Sequence, residues 1–211
     1  MPPPRSSKST FATTTLLALS SFLSGRAHGF LEERRNLGYG IVSQEEADMI
    51  NEDNKLHFEE LAYVNRLGFG LWMVNELVSL EGIEEKWYCA IEADERKVEE
   101  IGKVWIPKSY QKVASDGQVE QQDLWADDED AIVKYIESLT LEEPERALRL
   151  SWVEGIPWQL QMVIPANVVT NNDLDFWAKC FESEDALMDF SDDVNDWEAW
   201  NITGDRGEYS E

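Results

Sequence analysis

Histidine, cysteine and basic residues are scarce in this sequence. The scarcity of histidine and of basic residues excludes or disfavours particular classes of binding site. The 211 residues include two histidines, two cysteines and 18 lysines and arginines, against 43 aspartates and glutamates. Two histidines cannot form a three-histidine zinc site. A net charge of −25 disfavours binding along nucleic-acid phosphates and to anionic membranes, both of which require a basic face. We therefore expect no nucleic-acid partner, and no membrane partner once the chain is processed.

Long apolar runs and nucleotide-binding motifs are also missing. No stretch of about 18 apolar residues marks a transmembrane helix. Gly68 and Gly70 lack the third glycine of a dinucleotide-binding loop, and no Walker A sequence occurs. A Ser–His–Asp system would have to use His57, and no nucleophile motif supports one. We predict no catalytic, cofactor-binding or metal-binding residue, and no cofactor.

The amino-terminal segment has a different composition from the rest of the chain. Residues 1–31 carry three basic side chains and no acid, so the other 180 residues hold a net charge of −28 within the total of −25. A weakly basic start is followed by an apolar stretch at 11–23 and by small residues around a cut after Ala27. This order predicts a secretory signal peptide at 1–27. An organellar transit peptide and a disordered tail are the alternatives.

Two further features agree with secretion. Asn201 begins the N-glycosylation sequon Asn201-Ile202-Thr203 and is the predicted glycosylation site. Cys89 and Cys180 are an even pair, which an oxidising compartment allows to form a disulfide. Two buried free thiols are the alternative. We predict a secreted, extracellular protein in which Cys89 and Cys180 are bonded.

The hydrophobic pattern predicts a mixture of strands and short helices. Ser43 and Glu46 fit a capping box that starts a helix, and apolar residues recur at helical spacing over 127–139. A further helix is predicted at 172–181 and a loop at 109–126. Alternating apolar residues predict strands at 87–93, 103–107, 146–153 and 159–164.

The order of these elements does not repeat as strand–helix–strand, which indicates an α+β fold. We predict a single small domain at 37–203, with a mixed or antiparallel sheet and flanking short helices. A flexible acidic tail is predicted at 204–211. The oligomeric state stays open.

Six of the nine tryptophans fall into two groups by their spacing. Trp87, Trp152 and Trp177 lie in register with apolar neighbours and are predicted core residues. The candidates for a contact surface are Trp158, Trp197 and Trp200.

Six short strings occur in a fixed order along the chain: YGIVSQEEA at 39–47, RLGFG at 66–70, WYCAIEAD at 87–94, KVWIP at 103–107, RLSWV at 149–153 and QLQMVIP at 159–165. Taken together, they resemble a group of small secreted fungal proteins of uncharacterised function. The resemblance extends over about residues 37–203 and rests on the ordered set of strings.

Some members of that group resemble the ADP-ribosyltransferase fold of heat-labile-enterotoxin-like fungal toxins. The string Gly-Ile-Pro-Trp at 155–158 is similar to a turn of that family. The family's paired glutamates would fall at Ala147 and Arg149, neither of which is an acid, and the nearest acids are Glu143 and Glu145. The resemblance thus implies the fold without a complete catalytic set.

Three hypotheses of function follow. The leading one is a secreted, effector-like interaction protein without catalytic activity that binds a protein partner. The second is a divergent ADP-ribosyltransferase-like toxin that uses NAD. The third is an acidic charge mimic that binds a basic partner surface, and such binding would weaken with salt. Solubility alone also explains a high net charge.

Overall fold

A computed structural model describes residues 33–57, 64–77, 86–113, 117–126, 128–156 and 158–209. They lie within one compact unit, Glu32–Glu211, in which short helices flank a mixed sheet. The predicted α+β class is therefore confirmed. The signal peptide predicted at 1–27 lies outside the described residues.

Ten strands and five α-helices are found in the described part of the chain. The strands are β1 (Arg34–Ser43), β2 (Val64–Asn65), β3 (Gly68–Val74), β4 (Lys86–Asp94), β5 (Lys103–Trp105), β6 (Ser109–Val113), β7 (Val119–Asp123), β8 (Leu148–Trp152), β9 (Leu160–Pro165) and β10 (Trp177–Phe181). The helices are α1 (Gln44–Asp53), α2 (Glu95–Glu100), α3 (Glu129–Ser138), α4 (Ala166–Thr170) and α5 (Glu184–Phe190).

The main sheet runs in the order β10-β4-β1-β3-β9-β8-β5, and β2 pairs with β3. Its pairs are antiparallel except for β5 with β8. Residues buried against α1, α2 and α4 form one core cluster, whereas α3 and α5 contribute to two others. The sheet is thus covered by helices on more than one side, as an α+β domain requires to bury its apolar residues.

Local sequence signals account for several of these elements. The capping box of α1 is present: the amide of Glu46 donates to Ser43 Oγ, and the amide of Ser43 donates to Glu46 Oε2 at 2.9 Å. Alternation along β4 buries Cys89, Ile91 and Ala93 in the main core cluster. The strands predicted at 146–153 and 159–164 also form, as β8 and β9, and they pair antiparallel.

The segment predicted as one loop at 109–126 contains the hairpin of β6 and β7. This prediction was wrong because the two strands lie outside the main sheet and most of their side chains are exposed. An exposed ribbon has no apolar alternation for a sequence pattern to detect.

The prediction of a helix at 172–181 is also wrong, because this segment forms turns followed by β10. Asn172 and Asp175 adopt left-handed backbone angles, with φ of 53° and 52°, which interrupt a right-handed helix. Ala178 and Cys180 then face the core while Trp177 lies on the opposite face of the strand. Pairing with β4 and the disulfide outweigh the helical spacing of the apolar residues.

A disulfide bond joins Cys89 on β4 to Cys180 on β10, as predicted. The two residues lie directly opposite each other in the register of these strands, and both are buried. Beyond them, the side chain of Asn51 on α1 donates to the carbonyl of Cys180 at 3.0 Å and accepts from its amide at 2.9 Å. An α1 side chain thereby occupies the hydrogen-bonding groups that an edge strand would otherwise leave open.

Replacing both cysteines with alanine should lower the free energy of unfolding by about 2–4 kcal/mol, because the unfolded chain regains the freedom of a long loop. Urea unfolding followed by tryptophan fluorescence measures the loss. A thiol reductant should destabilise the wild type by a similar amount and leave the Cys89→Ala/Cys180→Ala variant unchanged. Equal unfolding midpoints for variant and wild type would contradict the role given to the bond.

Candidate functional site

The outer face of β10 carries a cluster of partly exposed aromatic rings. Alternation along the strand places Trp177, Lys179 and Phe181 on the face opposite the disulfide. Phe190, the last residue of α5, contacts both aromatic residues, with ring centroids 6.3 Å from Trp177 and 5.1 Å from Phe181. We call Trp177, Phe181 and Phe190 the aromatic patch.

Helix α5 is fixed in position by its cap and by one buried residue. The hydroxyl of Ser183 accepts a hydrogen bond from the amide of Ala186 at the start of the helix. Leu187 is fully buried against Tyr39 and its neighbours on the sheet. In the segment that follows the helix, the carbonyl of Asp193 accepts a hydrogen bond from the Tyr39 hydroxyl at 2.9 Å. These contacts place Phe190 over the face of β10.

A lysine from the strand itself lies against the aromatic patch. The ammonium of Lys179 lies 5.4 Å from the ring centroid of Phe181 and 5.2 Å from that of Phe190. Both distances are within the range of cation–π attraction. Phe190 is nevertheless 45% exposed, so an apolar surface remains in contact with solvent.

Carboxylates lie between and after the aromatic patch residues along the chain. Residues 182–193 contain six acids and no basic residue. None of these six carboxylates forms an ion pair with a residue that the structure describes. The acids are Glu182, Glu184, Asp185, Asp189, Asp192 and Asp193. Aromatic rings beside unpaired carboxylates are suited to contact an ammonium or guanidinium group together with its aliphatic chain.

A buried ion pair lies elsewhere, where β8 meets α3. Arg149 is fully buried, and its guanidinium donates to both carboxylate oxygens of Glu129 at 2.5 and 2.6 Å and to the carbonyl of Leu67 at 2.9 Å. A side chain at Gly68 would place its Cβ 2.1 Å from Glu129 Oε2, and Gly68 has a φ of +95°. Arg149 is fully buried, and its described polar contacts are with Glu129 and Leu67 of the same domain. We therefore assign this ion pair to the stability of the fold.

The acids nearest to the positions of the transferase glutamates lie on the surface in a short 3-10 turn. Glu143 precedes the turn Pro144–Arg146 and pairs with Arg146 at 2.7 Å. Glu145 is also exposed in that turn.

His57 forms an exposed pair with Asp53 at 2.9 Å, and this hydrogen bond holds the pKa of Asp53 below its ordinary value. Among the described residues, no group of three or more histidines, cysteines or acids is arranged to hold a metal ion.

The tryptophans are distributed differently from the prediction. Trp158 is 77% exposed, as expected of a contact-surface candidate, whereas Trp197 is fully buried and donates from Nε1 to the carbonyl of Leu37. Trp177, predicted as a core residue, is half-buried in the aromatic patch. Asn201, the predicted glycosylation site, is exposed.

Sequence reasoning did not single out the aromatic patch. The prediction assigned Trp177 to a helix at 172–181 instead of to strand β10, and it gave no element or role to Phe190. The usable signal was the alternation of Trp177, Lys179 and Phe181 with Ala178 and Cys180, which is the pattern of a half-buried strand.

A comparison with protein families matches residues 65–205 to a family of unknown function, DUF5910. The chain belongs to this family. The match includes the disulfide, the aromatic patch and the buried ion pair. Searches of curated proteins and of solved structures find no match. None of the helices in the described ranges combines the length and the apolar character needed to span a bilayer.

Glu129→Gln should lower the free energy of unfolding by about 3 kcal/mol, because it leaves the buried charge of Arg149 without a counter-ion. Glu143→Gln is the matched control, since it removes an exposed ion pair worth about 0–1 kcal/mol. Urea unfolding of the two variants compares them directly. Similar losses in both would contradict the assignment of the Arg149–Glu129 pair to stability.

Proposed function

We propose that this chain is a secreted, effector-like interaction protein that binds a basic protein partner through the aromatic patch. No catalytic step is part of this function. The observation that carries the proposal is the partly exposed aromatic patch, whose segment 177–193 also holds six carboxylates without an ion pair among the described residues. A partner segment that presents lysine or arginine beside apolar side chains fits both parts of this surface.

Solubility alone does not account for this arrangement. A charge that only keeps a protein soluble needs no neighbouring apolar surface. Here Phe190 remains 45% exposed next to acids that have no described ion-pair partner. Aromatic residues are typical anchors of protein interfaces, and carboxylates around them add attraction for a basic partner at long range.

The position of Lys179 supports a preference for cations. Its ammonium is the only positive charge in residues 177–193, and it lies over two rings of the aromatic patch. A partner's lysine or arginine would make the same kind of contact. Lys179 therefore competes with the partner's cation for the two rings, and its positive charge repels that cation.

Secretion is the second part of the proposal. A buried disulfide fits an oxidising compartment, and the acid-free segment at 1–31 has the composition of a leader. The resemblance to small secreted fungal proteins supports the same location. An effector role follows from combining secretion with a surface for a partner.

Phe190→Ser should weaken binding of a short peptide of alternating lysine and leucine at least about tenfold, because it removes the exposed anchor of the aromatic patch. Phe69→Ser is the matched control, since Phe69 is also 45% exposed and is not part of the patch. Isothermal titration calorimetry measures both affinities, and raising the salt concentration from about 50 to about 300 mM should weaken binding to the wild type.

The counterpart peptide of glutamate and leucine should not bind. Equal binding of the two peptides, or equal losses in Phe190→Ser and Phe69→Ser, would contradict the proposed surface. Binding of NAD at millimolar concentration, lost on substitution of Glu143 or Glu145, would favour the transferase hypothesis instead.

Lys179→Ala should strengthen binding of the same lysine–leucine peptide about threefold, because the internal cation no longer competes for the rings. Lys112→Ala makes the same change in net charge on the exposed strand β6 and serves as the control. Fluorescence titration with a labelled peptide compares the two. An equal gain in both variants would show a general effect of charge, and a loss in Lys179→Ala would exclude competition.

A further inference from the structure

A cavity lies beside the start of β5, and it is also bordered by β1, α2 and residues 196–201. It has a volume of about 470 Å3 and its lining includes the ring of Trp200. We call it the Trp200 cavity. Its polar lining residues are Arg35, Glu99, Lys103, Asp196 and Asn201. Donors, acceptors and one aromatic ring therefore border the same space.

Lys103 brings a buried amine to this cavity. The residue is 6% exposed, and its ammonium donates to the carbonyls of Ile101 at 3.0 Å and Glu99 at 3.3 Å. No carboxylate of a described residue lies within ion-pair distance of it. Burial and the nearby charge of Arg35 lower the pKa of Lys103. These two bonds use two of the three N–H groups of the ammonium, which leaves one without an acceptor among the described residues.

Trp200 provides an aromatic wall. The guanidinium of Arg35 and the ammonium of Lys103 each lie 5.9 Å from the centroid of its ring, at the outer limit of cation–π contact. Trp200 is half-buried and lies against the fully buried Trp197, with ring centroids 6.2 Å apart. The ring is thus held in place while the cavity beside it stays open.

The glycosylation sequon is held beside this cavity by the backbone. The amide of Thr203 donates to the carbonyl of Lys103, and the amide of Trp105 donates to the carbonyl of Thr203, both at 2.9 Å. Thr203 therefore extends the sheet next to β5. Asn201, two residues earlier, is exposed and lines the Trp200 cavity. A group attached to Asn201 starts at the edge of the cavity.

We propose that the Trp200 cavity seats the first sugar of an N-linked glycan on Asn201. The inference rests on the secretion part of the proposed function. In the modification, Asn201 Nδ2 forms a bond to the anomeric carbon of a lipid-diphosphate-linked sugar. The carbon–oxygen bond to the diphosphate breaks, and the amide proton leaves with that group.

The lining fits an uncharged sugar better than an anion. The C–H face of a pyranose packs on an indole ring, and its hydroxyl and acetamide groups both donate and accept hydrogen bonds. Lys103 and Arg35 supply donors, whereas Glu99 and Asp196 supply acceptors. The mixed charges and the net charge of −25 disfavour a free anion in the same space.

The test uses the full domain secreted from a eukaryotic host behind a supplied leader, so that failure of the native leader does not affect it. Intact mass gives the occupancy of Asn201. Enzymatic trimming to one sugar should keep the melting temperature of the glycosylated protein. Asn201→Gln should lower it by about 2–4 °C.

Variants at Trp200 separate a seated sugar from a merely attached one. In Trp200→Ala, and in the more conservative Trp200→Leu, the one-sugar and the unglycosylated forms should melt at the same temperature. As a control, Glu120→Asn with Gln122→Thr moves the sequon to the exposed strand β7 in the Asn201→Gln background. A glycan there should not stabilise the protein.

Nuclear Overhauser contacts between the sugar and the Trp200 indole in the one-sugar form give a readout without substitution at Trp200. An unoccupied Asn201, absent sugar–indole contacts, or an unchanged glycan effect in the Trp200 variants would overturn the inference. Binding of the lysine–leucine peptide to Asn201→Gln tests the proposed function separately, because that surface does not include the Trp200 cavity.

Discussion

The bond between Cys89 and Cys180 ties the edge strand β10 to β4, and the presentation of the aromatic patch depends on this pairing. As an edge strand of five residues, β10 pairs with only one strand of the sheet, β4. The disulfide fixes it from the core side, and Asn51 occupies its outward hydrogen-bonding groups. The outer face of β10 is then free to carry side chains that do not serve the core.

Both edges of the main sheet are closed, and each closed edge lies next to a candidate surface. At β10, α1 covers the backbone and the aromatic patch faces solvent. At β5, the segment around Thr203 covers the backbone and the Trp200 cavity opens beside it. The covered edges disfavour strand pairing with another chain, and the side chains near each edge remain available for recognition.

Much of the fold could be predicted from local patterns, whereas the candidate site could not. The capping box at Ser43 was sufficient to predict the start of α1, because one local interaction fixes it. The alternation of Cys89, Ile91 and Ala93 was sufficient to predict β4, because one face of that strand is buried. At 172–181 the spacing of Trp177 and Phe181 fits a helix as well as a strand, and only long-range pairing with β4 decides between them. The aromatic patch joins two segments through tertiary contact, so no local pattern contains it.

The most direct test of the central claim is hydrogen–deuterium exchange of the oxidised protein with and without the lysine–leucine peptide. The account predicts slower amide exchange in residues 177–193 when the peptide is bound, and unchanged exchange in the ribbon of β6 and β7. Protection confined to other parts of the chain would contradict the account, because the disulfide-held edge strand would then not present the binding surface.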